Sequence, residues 1–384
     1  MIDVPSGLQS NESLLMIQEL AREFAKNELR PVVMKYDESQ EFPFASIAKL
    51  AELGFLGATI PEEYNGAGLT PLEFTVLVEE ISKVDPSIGL SLCAHNGLCV
   101  THIFQFGNES QKRQYLPELC SGKRLGGWGL TEPSSGSDAG SMQTVAVKDG
   151  SDWVLNGSKT FITHGSVGSI FVIMAITNKS KPRLGISAFI VEKEFPGFLV
   201  SKKENKLGMR ASDTASIILE NTRVPAANLL GNEGEGFQQA LRILDGGRIG
   251  IAALSVGLAQ GALEASIKYA KERRQFGKLL AEFQGIQWKV ANMATEIAAA
   301  RLLTRHAALL KMHGQDINLA AAQAKYFASE VAVRAASEAV QIHGGYGFIK
   351  DYPVEKLYRD AKLLTIGEGT SEIQKMVIAK NLFH

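Results

Sequence analysis

Two alanine-rich stretches constrain this chain most: "FQGIQWKVANMATEIAAARLLTRHAALLKMHG" from Phe283 and "DINLAAAQAKYFASEVAVRAASEAVQIHGG" from Asp316. Apolar residues recur every three or four positions in both, and each ends at glycine, the signature of long amphipathic helices. Adjacent long helices with small faces predict a close-packed antiparallel bundle, or a face that meets another subunit. The first 120 or so residues are also helical in pattern. Leu14, Ile17, Ala21 and Phe24 fall at helical spacing and Pro31 ends that run. Thr70-Pro71 and Asp85-Pro86 each place an N-cap residue before a proline at the first helical position.

Between these regions the period changes. "TVAVKDGSDWVLNGSKTFIT" is two β-rich runs about Asp149-Gly150, a hairpin signal, and "SIFVIMAIT", "ISAFIVEK", "FLVSKK" and "ASIILENTRVP" follow with turn residues between them. The chain is therefore expected to be an α+β multidomain protein: helices over 1–122, an antiparallel β-domain over 123–232 and helices over 233–384, joined at the glycine-rich "LLGNEGEGF".

Charge and composition exclude several functions. Lys plus Arg number 40 against 41 Asp plus Glu, so nothing suggests nucleic-acid binding through phosphates. The apolar run "IFVIMAI" is too short to span a bilayer, and no leader pattern opens the sequence. No membrane association and a cytoplasmic location are expected, ahead of a mitochondrial matrix. Cys93, Cys99 and Cys120 lack zinc spacing and are expected to be buried thiols. No metal site is expected; His306 and His313 share a helix face without forming one.

The nucleotide fingerprints G-x-G-x-x-G and G-x-x-x-x-G-K-[ST] are absent, as is the G-x-S-x-G elbow. Four polar or glycine-rich clusters remain: "WGLTEPSSGSDAG" from Trp128, "KTFIT" from Lys159, "ERRQFGK" from Glu272 and "QIHGGYG" from Gln341. Each alone fits an ordinary loop or helix end; together they suggest a site for a flat polar ring and its phosphates. Near the end, "LLTIGEGTSEIQ" sets Glu368 between two glycines, just before Ser371 and Gln374 at capping-box spacing. That carboxylate is either a solvated residue at a helix start or a group held there to move a proton.

"LTEPSSGSDAG", "NGSKTFIT", "LGMRASDTASIILENTRVP", "LDGGRIGIAA", "ERRQFGK", "QIHGGYGF", "RDAKL" and "EGTSEIQ" stand in the order and spacing of the acyl-CoA dehydrogenase family, which the chain resembles over its whole length. The resemblance implies that family's fold, with an N-terminal helical domain, a middle β-domain and a C-terminal four-helix bundle. It implies FAD, lined by Trp128, Leu130, Thr131, Gly136 and Ser137 and flanked by Phe161, Ile162 and Thr163. Arg273, Gln275, Gln284, Gln341, Ile342, Gly344 and Gly345 would hold the pyrophosphate and adenosine end from a neighbouring subunit, and Thr370 and Glu372 would close the site. Ser137, Asp245, Arg248 and Gly369 are implied to meet the acyl-CoA substrate, though Arg248 also suits a helix salt bridge.

By the same resemblance Glu368 is the base that removes the α-proton while the β-hydrogen leaves as hydride to the flavin. Its N–H and a flavin ribityl hydroxyl would hydrogen-bond the thioester carbonyl. Burial on substrate binding is expected to raise its pKa. Relatives that carry the base on the "LDGGR" helix would place it at Gly247, which has no side chain. Electron-transfer flavoprotein is the implied acceptor and a homotetramer, a dimer of dimers, the implied assembly. Two departures from the family pattern stand out. Gly367, where relatives carry tyrosine, is expected to widen the pocket toward branched or cyclic acyl groups. His164, in place of asparagine, is expected to hydrogen-bond a loop. The rival readings are an oxygen-using acyl-CoA oxidase and a non-catalytic helical assembly protein.

Overall fold

The computed structural model describes residues 11–383. The N-terminal region is α1 (Asn11–Phe24), α2 (Val33–Ser39), α3 (Phe44–Glu52), α4 (Pro71–Ser82), α5 (Pro86–Leu92), α6 (Thr101–Phe106) and α7 (Glu109–Cys120). Thr70 caps α4 in a full capping box: its Oγ1 accepts from the Glu73 N–H at 3.2 Å, and the Glu73 carboxylate accepts from the Thr70 N–H at 2.7 Å. Asp85 caps α5 by accepting from the Ser87 N–H at 3.0 Å. Both Thr/Asp-Pro expectations hold. Residues Cys93–Val100 bridge α5 and α6 as a π-helical stretch, a wider turn that often marks a functional site.

The middle region holds β1 (Gly126–Gly129), β2 (Val145–Asp149), β3 (Asp152–Thr163), β4 (Ile170–Ile176), β5 (Ile186–Glu192), β6 (Phe198–Lys203), β7 (Thr214–Pro225) and β8 (Leu229–Leu230). Their order is β6-β7-β3-β2-β4-β5-β8, with β1 also on β4. The expected hairpin is present, β2 and β3 pairing from Asp149–Asp152 outward around Gly150, whose φ is 61°. The expectation of a purely antiparallel sheet needs correcting. β1 runs parallel to β4 from Gly126–Ile170 to Gly129–Ile173, and β2 meets β4 in parallel at Val145–Ile176. Long excursions return these strands to the sheet, and a parallel pair needs that length where a hairpin does not.

The C-terminal region is α8 (Gly236–Glu272), a short ribbon of β9 (Arg274–Gln275) and β10 (Lys278–Leu279), α9 (Gln284–Met312), α10 (Asn318–His343), α11 (Val354–Leu364) and α12 (Ser371–Phe383). The two alanine-rich stretches are α9 and α10, packed with α8 into one core. α8 also touches α4, and the approach depends on glycine. A Cβ on Gly257 would stand 2.3 Å from the Glu79 carbonyl oxygen, and one on Gly261 2.3 Å from that of Lys83. Among the described residues α8 is the one helix long and apolar enough to cross a membrane, yet 83% of its apolar window lies inside the fold. Cys93, Cys99 and Cys120 are free and buried, as expected.

Candidate active site

Glu368 lies on the loop between α11 and α12, and its backbone explains the flanking sequence. Glu368 itself has φ 54° and Gly369 has φ 96°, both left-handed. That conformation costs a glutamate energy, so its neighbours must impose it. Gly367 is not left-handed, and a Cβ there would meet only Leu363 at 3.7 Å, an ordinary contact. The two glycines therefore differ: Gly369 is needed by the backbone, whereas Gly367 leaves space.

The loop is held from both sides. Lys325 of α10 donates from Nζ to the Gly369 carbonyl at 2.6 Å. Gln374 donates to the carbonyls of Glu368 and Gly369 at 3.3 and 2.9 Å. The spacing of Ser371 and Gln374 does not form the expected capping box. Thr370 caps α12, its Oγ1 accepting from the Ile373 N–H at 3.3 Å, while Ser371 donates to Glu330 at 2.7 Å. Gln374 is drawn back to the Glu368–Gly369 loop because two carbonyls there need donors.

The Glu368 side chain points against α8. A Cβ on Gly247 would lie 2.2 Å from Glu368 Oε2, so a side chain at 247 and this carboxylate cannot share the space. Oε2 is buried and has no hydrogen-bond partner. Burial pushes the Glu368 pKa up to about 7, against the lowering influence first of Lys325 and then of Arg248. Burial by the protein itself already raises this pKa before any substrate adds to it. Among the described residues the Glu368 N–H takes part in no backbone hydrogen bond and is free to donate to a ligand.

Asp245 and Arg248 of α8 pair at 2.5 Å, and Asn318 of α10 donates to Asp245 at 2.9 Å. Arg248 is buried, its Nε has no partner, and desolvation lowers its pKa. Among the residues expected around the flavin, Leu130 and Ile162 are buried, Phe161 is 67% exposed, and Gly136 and Ser137 lie at the surface. Phe161 has φ 57°, at an irregularity in the β3–β7 register that turns its ring outward. Trp128 donates from its indole N–H to His102 Nδ1 at 2.9 Å. His102 Nε2 lies 3.0 Å from Gln239 Oε1, which fixes a neutral tautomer with its proton on Nε2. Burial lowers the His102 pKa to about 4.

Sequence reasoning missed what organises this wall. Lys159 of β3, fully buried, donates to the Leu130 carbonyl at 3.2 Å and to Glu132 at 2.7 Å. The same carboxylate accepts from the Gln143 and Thr144 N–H groups at 2.5 and 3.0 Å. The signal was present: a lysine within an apolar strand and a glutamate within a small-residue loop. Lys325 was legible in the same way, as a single cation on the packed face of an alanine-rich helix. His164 Nδ1 lies 3.0 Å from the Gly126 carbonyl oxygen; since a carbonyl only accepts, Nδ1 carries the proton and donates, and the ring tethers the start of strand β1 and not the loop expected.

A second, open cleft of about 560 Å³ gathers Arg273, Gln275, Ile342, Gly344 and Gly345 with Tyr269, His343 and Tyr346. The Arg273 guanidinium sits 5.3 Å over the Tyr346 ring, and Tyr269 stacks on His343 at 4.2 Å. Gly344, with φ 61°, and Gly345 have no heavy atom within 4 Å of a would-be Cβ, so backbone is offered to a ligand there. An arginine, a glycine break and aromatic faces suit a phosphate-linked aromatic group, and FAD fits this donor set. Gln284 and Gln341 are exposed and do not line this cleft; Thr370 and the exposed Glu372 sit at the start of α12 by the base. No cluster able to hold a metal occurs among the described residues.

Three family models match the chain: acyl-CoA dehydrogenase N-terminal domain over 11–123, middle domain over 127–222 and C-terminal domain over 234–383. A short-chain specific acyl-CoA dehydrogenase of Clostridium acetobutylicum is 47% identical over 368 residues, 96% of this chain and 97% of that one. Butyryl-CoA dehydrogenase from Megasphaera elsdenii superposes with a TM-score of 0.96 at 43% identity, covering 98% of this chain and all (100%) of that one. A chain solved in work on the electron transferring flavoprotein of Acidaminococcus fermentans gives 0.97 at 48% identity, with 98% and 99% covered.

Proposed function

The chain belongs to the acyl-CoA dehydrogenase family, and we propose that Glu368 is the base with which it removes the α-proton of a short acyl-CoA thioester. The observation that carries this reading is the Glu368 carboxylate itself: buried, unpartnered at Oε2, seated on the bare backbone of Gly247 and poised at a pKa of about 7. A base is most effective when its pKa lies near the working pH. Its N–H, free of backbone partners, is suited to the thioester oxygen on which negative charge develops as the proton leaves. Lys325 and Arg248 keep the carboxylate ionised in part near neutrality, and Lys325 also fixes the loop through Gly369.

FAD, bound by the wall from Trp128 to Ser137 and by the residues of the open cleft, would take the β-hydride as the trans-2-enoyl thioester forms. Ser137, Asp245 and Arg248 are proposed to meet the substrate's CoA portion. Electron-transfer flavoprotein is the proposed acceptor, in keeping with the Acidaminococcus fermentans similarity. A cytoplasmic homo-oligomer, a dimer of dimers, with domain boundaries near 122 and 232, completes the reading.

The test is anaerobic titration of the purified flavoprotein with butyryl-CoA, following the visible flavin band. Wild type is expected to bleach. Glu368→Gln, which keeps size and polarity, is expected to bind FAD and lose bleaching rate by about 10²–10⁴-fold. A variant that bleaches at the wild-type rate would remove Glu368 from the mechanism.

A further inference from the structure

Trp128 stands close to Glu368, and a series of buried polar groups from three elements fixes its direction. The indole is half-buried and packs on the small apolar cluster of Ala94, Leu98 and Ile243. Ile243 lies one turn before Gly247 on α8. Leu98, of the π-helical stretch, approaches the same bare backbone as the base. A Cβ on Gly247 would stand 3.1 Å from Leu98 Cδ2 and 2.2 Å from Glu368 Oε2. Leu98 alone therefore separates the indole from the ground on which the Glu368 carboxylate sits.

The series starts at a carbonyl, and that fixes its sense. The Leu230 carbonyl of β8 accepts from Gln239 Nε2 at 3.1 Å, which turns Gln239 Oε1 toward His102 of α6. Oε1 takes the His102 Nε2 proton, so Nδ1 keeps its lone pair and accepts from the Trp128 indole at 2.9 Å. Gly231, with φ 72°, makes room for the amide, since a Cβ there would stand 2.3 Å from Gln239 Nε2. No link can reverse while Leu230 accepts.

Strand β1 does not depend on this series for its place. Its backbone pairs with β4 from Gly126 to Gly129. Two other histidines grip Gly126: its N–H donates to His95 Nδ1 at 3.0 Å, and its carbonyl accepts from His164 Nδ1 at 3.0 Å. What His102 adds is the direction of one side chain. A half-buried indole N–H could be satisfied by water, whereas a buried histidine and glutamine are costly unless every link is made. The return on that cost is a single orientation of the ring.

We propose that His102 is a positioning residue for the reaction at Glu368: it locks the Trp128 indole as a fixed wall against which thioester and flavin are seated. Released from Nδ1, the indole is free to change rotamer, and the space beside Leu98 and Gly247 loses its shape. His102 is itself fully buried and reaches no ligand, so it acts only through Trp128. The inference rests on the reading of Glu368 as base for an acyl thioester and of Trp128 as part of the flavin wall.

Glutamine can do both jobs of this imidazole, accepting from the indole and donating to Gln239, and leucine can do neither. The holoenzymes of wild type, His102→Leu, His102→Gln, Trp128→Phe and the His102→Leu/Trp128→Phe pair are compared in flavin bleaching by saturating butyryl-CoA. The tryptophans are Trp128, Trp153 and Trp288, so labelling with 5-fluorotryptophan lets the ¹⁹F resonance lost in Trp128→Phe be assigned to Trp128. His102→Leu is expected to shift or split that resonance and to slow bleaching about tenfold or more. His102→Gln is expected to restore the resonance and bring the rate within about threefold of wild type. Trp128→Phe keeps a ring without the N–H and is expected to slow bleaching comparably, which decides the matter should His102→Leu not fold. Adding His102→Leu to Trp128→Phe is expected to change the rate less than about twofold, because both act through one bond. A wild-type rate in His102→Leu or in Trp128→Phe overturns the proposal. So do losses that multiply in the double variant, and a His102→Gln protein as slow as His102→Leu. Each of these leaves the dehydrogenase reading standing. A wild type that no thioester bleaches removes that reading, and this one with it.

Discussion

At the scale of single residues, the pKa of Glu368 sets the behaviour of the site. A carboxyl at about 7 is mostly protonated, and idle as a base, at pH 6, and mostly ionised at pH 8. Activity of the free enzyme, read as kcat/KM, should rise with pH through about 7 where substrate binding is not limiting. Lys325 lowers that pKa by its charge, so Lys325→Met should move the rising limb toward higher pH as well as lowering activity. The sign follows from removing a nearby cation, which disfavours the carboxylate form. A pH–rate profile of the variant checks this. Were Lys325 only a tether for the Gly369 carbonyl, activity would fall with the limb unmoved. Arg248, the second cation near Glu368, remains in place in that variant and limits the shift.

At the scale of elements, α11 joins regions far apart in sequence. Lys356 donates to Asp85 at the start of α5 at 3.1 Å and to Asp360 at 2.6 Å, and Asp360 accepts from the Met209 N–H at 2.5 Å ahead of β7. Arg359 reaches Asp37 of α2 at 2.7 Å. Lys356, Asp360, Asp85 and Asp37 are buried and Arg359 is half-buried, and Asp360 and Asp85 hold the Lys356 ammonium well above its ordinary pKa despite burial. Lys356→Met should cost about 3–5 kcal/mol in unfolding free energy, because it strands buried carboxylates. Denaturant unfolding of the variant measures it; a loss under 1 kcal/mol would mean water reaches the cluster. What was legible from sequence follows the same division. Period and caps gave α4, α5, α9 and α10 and the β2–β3 hairpin, since those signals are local. The parallel pairing of β1 with β4 was not legible, because it joins Gly126 to Ile170 across an excursion no local pattern encodes. Glu368, the proposed base, was singled out through its motif, and the structure shows its carboxylate buried with Oε2 unpartnered. Lys325 and the Lys159–Glu132 pair were legible only as lone charges in apolar or small-residue runs, and such a charge declares a partner without naming it.

At the scale of the whole molecule, the proposed homo-oligomer would make the open cleft at Arg273 half of a site. Large apolar side chains are exposed on the segments that also carry the cleft residues and on the helix that follows: Phe276 is 92% exposed on the β9–β10 ribbon, Phe348 88% just after Tyr346, and Trp288 61% at the start of α9. Apolar exposure concentrated beside a ligand cleft marks an association surface. The proposed homo-oligomer would cover these rings and let Arg273 and the Gly344-Gly345 break face a cofactor shared between copies. Assembly and cofactor retention should then be linked, since whatever binds only the assembled form stabilises it. Phe276→Ser, at a side chain 92% exposed and packing on little of its own chain, should shift sedimentation toward smaller species and release FAD on gel filtration. Added FAD should push the variant back toward the larger species, with half-assembly at a lower protein concentration. A variant that dissociates yet keeps its full flavin content would separate the two, and place the cofactor wholly within one chain.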